Sequence, residues 1–288
     1  MSDLFDLVQR PDLASPLLIV VLEGWIDAGL GAGMALQAIT TATPSEVVAT
    51  FDTDALLDHR ARRPTLHLAD GIQTGLSWPV IELRAGADRD GRDVLLLVGA
   101  EPDHSWRAFS KAVVDLALEL DVRMVTGLGA YPAPVPHTRP TRVVATTTRP
   151  ELARQVGSVQ GRVDVPAGVQ AAIEERASDQ GLPALGLWAQ VPHYASAMPY
   201  PAAGLALVET LSEVAGVQFD AGTLADDAVA ARGRLDALIA GSTEHQELVH
   251  QLEEQVDAQE ATPDDAGSGL PSGEELVAEL ERYLRDQE

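Results

Sequence analysis

Several residues of this chain have side chains that do chemistry and stand where α/β proteins do it. Glu23, Trp25 and Asp27 follow the continuous apolar run Leu17 to Leu22, which reads as a strand buried on both faces. His104 follows the apolar run that ends at Val98. Tyr131, His137 and Arg139 follow the strand pattern Val122 to Leu128, and His193 and Tyr194 follow Leu185 to Gln190. Open α/β sheets take ligands in the crevice outside the carboxyl ends of their strands. These residues therefore make one candidate pocket. Histidine beside carboxylate suits proton transfer or metal binding. Arg139 suits a planar anion, and Trp25, Tyr131 and Tyr194 suit a pocket wall or a protein interface.

Sharper motifs are weaker than they first look. Gly29, Gly31 and Gly33 suggest a dinucleotide fingerprint, with Asp52 at the end of the next strand. Their spacing is G-x-G-x-G, however, and Gly24-Trp25-Ile26-Asp27 separates them from the strand. The glycines read better as small residues that let a helix, Ala28 to Thr40, pack closely on the sheet. There is no Walker loop and no G-x-S-x-G elbow. The histidines stand at 59, 67, 104, 137, 193, 245 and 250, with no H-x-H or H-E-x-x-H pair. Loop histidines bonded to backbone groups are the leading reading, and neither a metal nor a cofactor is expected. The one basic cluster, His59-Arg60-Ala61-Arg62-Arg63, reads as a partner for carboxylates, including across a subunit contact, ahead of a phosphate site.

The elements that would position these residues follow from pattern. The chain has 288 residues, 45% of them hydrophobic, enough for a substantial core. Strand patterns alternate with helices such as Ser105 to Leu120 and Ala202 to Ala215, as in a parallel sheet covered on both faces. Between residues 59 and 93, alternating Thr65–Leu68 and Trp78–Leu83 and the Asp-Gly turn before Asp93 predict antiparallel strands attached to that sheet. Tyr131 to Pro140 holds four prolines and reads as a stiff loop. A helix opens at Val165-Pro166 and ends at Gly181. After Gly216 the pattern is wholly helical. Helices over 221–240 and 242–259 form a hairpin, residues 262–271 form a linker, and Ser272 caps a last helix. The domains are then an α/β unit at 1–219 and an acidic helical extension at 220–288.

Charge and composition exclude several classes. The formal net charge is −24, and the stretch 220–288 alone has 18 acidic against 4 basic residues. Nucleic acid and anionic membranes are poor partners for such a chain. The absence of cysteine excludes disulfides and thiolate chemistry. Met1-Ser2-Asp3 lacks the basic start of a signal peptide, and no apolar run has the length of a membrane span. A soluble, cytoplasmic protein is expected.

The loops together carry a resemblance. Gly24 to Ala35 (GWIDAGLGAGMA), 127–140 (GLGAYPAPVPHTRP) and 186–194 (GLWAQVPHY) with the proline-led helix after it resemble the proteasome assembly chaperone 2 family, in its actinobacterial form. The likeness covers about residues 5–216. It implies a three-layer α/β/α domain similar to the purine nucleoside phosphorylase fold, and a homo-oligomeric habit. Relatives assist assembly of the proteasome core, some docking through a C-terminal hydrophobic–Tyr–any tail. This sequence ends Arg285-Asp286-Gln287-Glu288 with Leu284 after Tyr283, so that tail is not expected to act here. No catalytic residue is carried over. The expectation is an oligomeric, chaperone-like or otherwise protein-binding protein without a catalytic motif. The alternative is a small-molecule binder or hydrolase, nucleoside-like or phosphate-bearing ligands included, built on the strand-end loops.

Overall fold

The computed structural model describes residues 4–24, 26–159 and 161–261. Trp25, the linker at 262–271, the helix from Ser272 and the C-terminal tail lie outside the described residues. The apolar run at Leu17 is the centre of the fold. It forms β2 (Leu17–Glu23), after a short edge strand β1 (Phe5–Leu7). Leu17, Ile19 and Val21 enter one apolar cluster, and Leu18 and Val20 enter another on the opposite face. Both faces of the strand are buried, so the run has no polar alternation.

A turn leads from β2 to α1 (Gly31–Ala42). The chain continues through β3 (Ser45–Phe51), α2 (Thr53–Leu56), β4 (Thr65–Ala69), β5 (Ile72–Ser77), β6 (Ile81–Ala87) and β7 (Asp93–Ala100). Next come α3 (Trp106–Glu119), β8 (Met124–Ala133), β9 (Val143–Thr146), α4 (Pro150–Val156), α5 (Val169–Asp179) and β10 (Ala184–Pro192). The chain then runs through α6 (Pro201–Ala215), α7 (Leu224–Ala240) and α8 (Thr243–Ala261).

The main sheet has the order β1-β3-β6-β7-β2-β8-β10-β9. Its four central strands are parallel, and antiparallel strands complete both sides. Helices α1 and α6 cover one face and share a cluster with Leu224 and Leu235 of α7. Helices α3 and α5 cover the other through Phe109, Val113, Val169 and Ile173. This is the expected three-layer α/β/α arrangement. The carboxyl ends of β7, β2, β8 and β10 lie along one edge, so the candidate loops are on the same side of the sheet.

Two boundaries differ from the sequence expectation for physical reasons. Strand β8 runs on through Pro132, paired with Val191. β2 leaves β8 after Val20↔Gly127, so Pro132 lies where no second strand ladder needs its missing N–H. Helix α5 starts at Val169 instead of Val165. The buried Glu101 carboxylate accepts the Val169 N–H at 2.7 Å and fixes the first turn there. The alternating stretch Thr65–Leu68, expected to attach to the main sheet, instead pairs with β5 in a separate two-stranded ribbon, and only β6 and β7 of that region join the large sheet.

Candidate functional site

The turn after β2 shows how local chemistry fills the rim. Asp27 accepts the N–H groups of Ala32 at 2.7 Å and Gly33 at 2.9 Å. Its carboxylate thus occupies the N-terminus of α1, where the helix dipole favours an anion. Burial pulls its pKa up, against the backbone donors of Gly33, Ala32 and Gly31, which pull it down. Gly29 has φ +61°, and a Cβ there would stand 2.6 Å from the Tyr200 Cβ. A Cβ on Gly31 would stand 2.8 Å from that of Ala203 on α6. These glycines let α1, the turn and α6 pack together.

The neighbouring loop repeats the pattern. Glu101 holds the N-terminus of α5 through Val169. The exposed Glu23 contributes its carbonyl, which accepts the Glu101 N–H at 2.7 Å and Arg62 at 3.3 Å. Arg62 pairs with Asp103 through Nε at 3.2 Å, and His59 pairs with Asp54 at 3.0 Å. The basic cluster is therefore engaged with carboxylates at these two positions. His104 is exposed, and its N–H bonds the Leu56 carbonyl. Trp25 falls outside the described residues.

The third group converges. His137 is buried, with 1% of its side chain exposed. Its Nδ1 and backbone N–H both meet the Tyr194 hydroxyl at 2.8 Å, and its Nε2 lies 3.1 Å from Asp236 of α7. Burial pushes the Tyr194 pKa up to about 12, so the phenol is neutral. Arg139 makes a fork to Asp257 of α8, Nε to Oδ1 at 2.8 Å and Nη2 to Oδ2 at 2.7 Å. Its Nη1 reaches Glu253 at 3.2 Å, and Thr138 bonds Glu253 as well. The Asp257 hydrogen bonds push the Arg139 pKa up, and that of Asp257 is held down in turn. His193 is exposed, its ring 5.3 Å from Tyr194. Tyr131 is held separately, its hydroxyl accepting Gln190 at 2.9 Å.

The structure thus brings His137, Arg139, Tyr194 and His193 together, and places Glu23, Asp27, Tyr131 and His104 in separate local roles. The partners of the converging group are acidic side chains of α7 and α8, which the loop motifs did not point to. The signal was present in Glu253 and Asp257, which share a helix face at i, i+4 spacing. The crevice beneath the proline loop, lined by Val135, Pro136, Arg139, Tyr200 and Val256 among others, has a volume of 10 Å³. That is room for roughly one water, whereas small-molecule pockets run to roughly 300–1,000 Å³. Among the described residues no group of three or more His, Asp or Glu is placed to hold a metal ion.

The fold and the loop geometry can be set beside known proteins. The PAC2 family model matches residues 21–239, most of the chain. The chain belongs to the PAC2 family. A solved Corynebacterium glutamicum protein of unknown function is 32% identical, with 90% of this chain and 98% of that chain covered and a TM-score of 0.84. A Mycobacterium tuberculosis protein of unknown function is 34% identical over 91% of this chain and 93% of that one, with a TM-score of 0.83. A second M. tuberculosis structure, a proteasome-assembly chaperone homologue, is 32% identical over 81% and 99%, with a TM-score of 0.75. Among curated proteins, none matches. The PAC2 match ends at residue 239, within the last turn of α7. Helix α8, with Glu253 and Asp257, therefore clamps a PAC2 loop from outside the matched stretch. Among the described residues no helix of this PAC2 protein is long and apolar enough to cross a membrane.

Proposed function

We propose that this PAC2 protein is a homo-oligomeric, chaperone-like protein that binds other proteins, with subunits of the proteasome core as its partners. The observation that carries the reading is the occupied rim. The N-termini of α1 and α5, where a phosphate would bind, hold the carboxylates of Asp27 and Glu101. Arg139 and His137, the groups best suited to an anionic substrate, are taken by Asp257, Glu253 and Asp236. The crevice beneath the proline loop has room for roughly one water. Binding then falls to surfaces. The similarity to a proteasome-assembly chaperone homologue supports the identity of the partner. The cysteine-free, strongly acidic chain also suits a partner recognised by shape and charge.

The test mixes the purified full chain with purified proteasome α- and β-subunits of its source organism. Core-particle formation is followed on native gels. The expected result is co-migration of the chain with α-subunits and faster appearance of the core particle. An unchanged rate with no co-migration overturns the proposal.

A further inference from the structure

We infer that α5, with the segment that leads into it, is a flap that one proton on Glu174 holds against the sheet. The flap has hinges at both ends. Gly157 has φ +103° and Gly181, after the helix, has φ +75°, a region that glycine takes freely. Between Ser158 and Ala167 every described residue is exposed, and no backbone hydrogen bond among the described residues ties this stretch down. The helix itself buries only three apolar side chains, Val169, Ile173 and Ala177, where α3 buries five. Its other inward positions are polar. Gln170 lies over Gly127, where a Cβ would stand 2.1 Å from the Gln170 Cδ, and Glu174 lies over Gly186. The two glycines thus make a notch in the sheet that receives an amide and a carboxyl. Within it the Trp188 indole N–H donates to Thr146 at 3.0 Å, Thr146 donates to Glu174 at 3.1 Å, and Gln170 donates to Glu174 at 3.0 Å. This chain of bonds joins the middle of α5 to β9 and β10.

The charged groups around the notch are engaged elsewhere. Arg176 reaches Asp115 of α3 at 3.9 Å, and Lys111 pairs with the same carboxylate. Arg149 donates to the Gly181 carbonyl, and Glu101 accepts the Val169 N–H. None of α3, α5, β7, β8, β9 and β10 carries a histidine. A neutral Glu174 is therefore satisfied in place, whereas an ionised one is a buried charge held by neutral donors alone, which a low-dielectric interior penalises. Burial accordingly pushes its pKa up to about 7, from 4.5 in water. Release of α5 brings the carboxylate to water and removes the penalty. The closed flap is fully favoured below about pH 4.5, and that preference is lost as the pH rises through about 7. Above that point, opening uncovers Val169, Ile173 and the sheet around Gly127 and Gly186.

The test is amide hydrogen exchange of the full chain at pH 5 and pH 8, expressed as protection factors, beside the variant Glu174→Gln. In the wild type the α5 amides are expected to be less protected than those of β2 and β7 at both pH values. Their protection should fall about 70-fold from pH 5 to pH 8 in the wild type and stay level in the variant. Protection in α5 equal to that in β2 and β7 overturns the inference, because the helix then leaves only with the whole fold. A variant with the wild-type pH profile overturns it too. Melting followed by circular dichroism shows whether Glu174→Gln is folded. If it is not, Gln170→Leu replaces it. That change removes a donor to the carboxylate and should move the midpoint of the α5 profile to higher pH. A midpoint that stays in place or falls overturns the inference.

Discussion

At the scale of single residues, the clearest energetic feature lies away from the rim. Glu174 of α5 is 8% exposed and faces the sheet beside Gly186, where a Cβ would stand 2.5 Å from its Oε1. Its partners are neutral. Gln170 donates at 3.0 Å, and Thr146 donates at 3.1 Å while accepting the Trp188 indole N–H. Burial, only partly offset by these donors, pushes its pKa up from 4.5 to about 7. The folded state therefore holds the proton more tightly than the unfolded chain. The stabilisation is complete below about pH 4.5 and is lost as the pH rises through about 7. The shift corresponds to a loss of about 3 kcal/mol. Glu174→Gln keeps the shape and cannot ionise. Urea unfolding at pH 5 and pH 8 should show stability falling more in the wild type than in the variant, by up to that amount. Parallel profiles for the two proteins would mean that Glu174 is not buried as a neutral acid. Asp88 has the opposite sign. Burial pulls its pKa up, but the N–H groups of Arg92, Gln218 and Asp90 and the Arg92 guanidinium outweigh it and leave the pKa lowered. Its contribution is present at neutral pH and lost in acid. Asp88→Asn should therefore destabilise the protein at pH 7 and matter less near pH 3, read as the difference in melting temperature.

At the scale of elements, the contact to explain is that of α8 with the proline loop. Val249, Leu252 and Val256 give the helix a buried stripe, and Val256 lines the crevice under the loop. The Arg139 fork and Thr138 then fix which way the helix lies, since a guanidinium and a carboxylate match in only a few orientations. Arg139→Ala with Thr138→Ala should raise amide exchange across α8 at least about tenfold while the strands of the main sheet keep their protection. Unchanged protection in α8 would assign its anchorage to the apolar stripe alone. The limits of sequence reading are visible at the same place. The central strands, α3, α6, α7 and α8 were legible because each has a pattern that shows whether one face or both are buried, whereas β5 was not. Asp27 and Glu101 as internal caps were not, because capping depends on where a loop carbonyl or carboxylate lands in space. Nor was the pairing of Arg139 with Asp257, 118 positions apart. Pattern reading grouped His137, Arg139 and Tyr194 in one candidate pocket with six other loop residues. It had no means of showing that the group's partners come from the chain itself.

At the scale of the molecule, charge sets the conditions under which any assembly forms. Two copies at −24 repel through the whole surface, whereas any contact between them buries apolar area and pairs only nearby charges. These two contributions have different ranges. At about 0.01 M salt the Debye length is about 30 Å, so the distant carboxylates of α7, α8 and the rest of the acidic surface are all felt. At about 0.3 M it falls well below 10 Å, and only charges in contact still act. Salt therefore removes the repulsion before it removes the local attraction, and it leaves apolar burial intact. Self-association should tighten between about 0.01 and 0.3 M sodium chloride, seen as a larger mass at fixed protein concentration. The melting temperature should rise over the same range, because repulsion within each copy is relieved as well. If the mass falls with salt instead, ion pairs between the copies supply most of the binding energy.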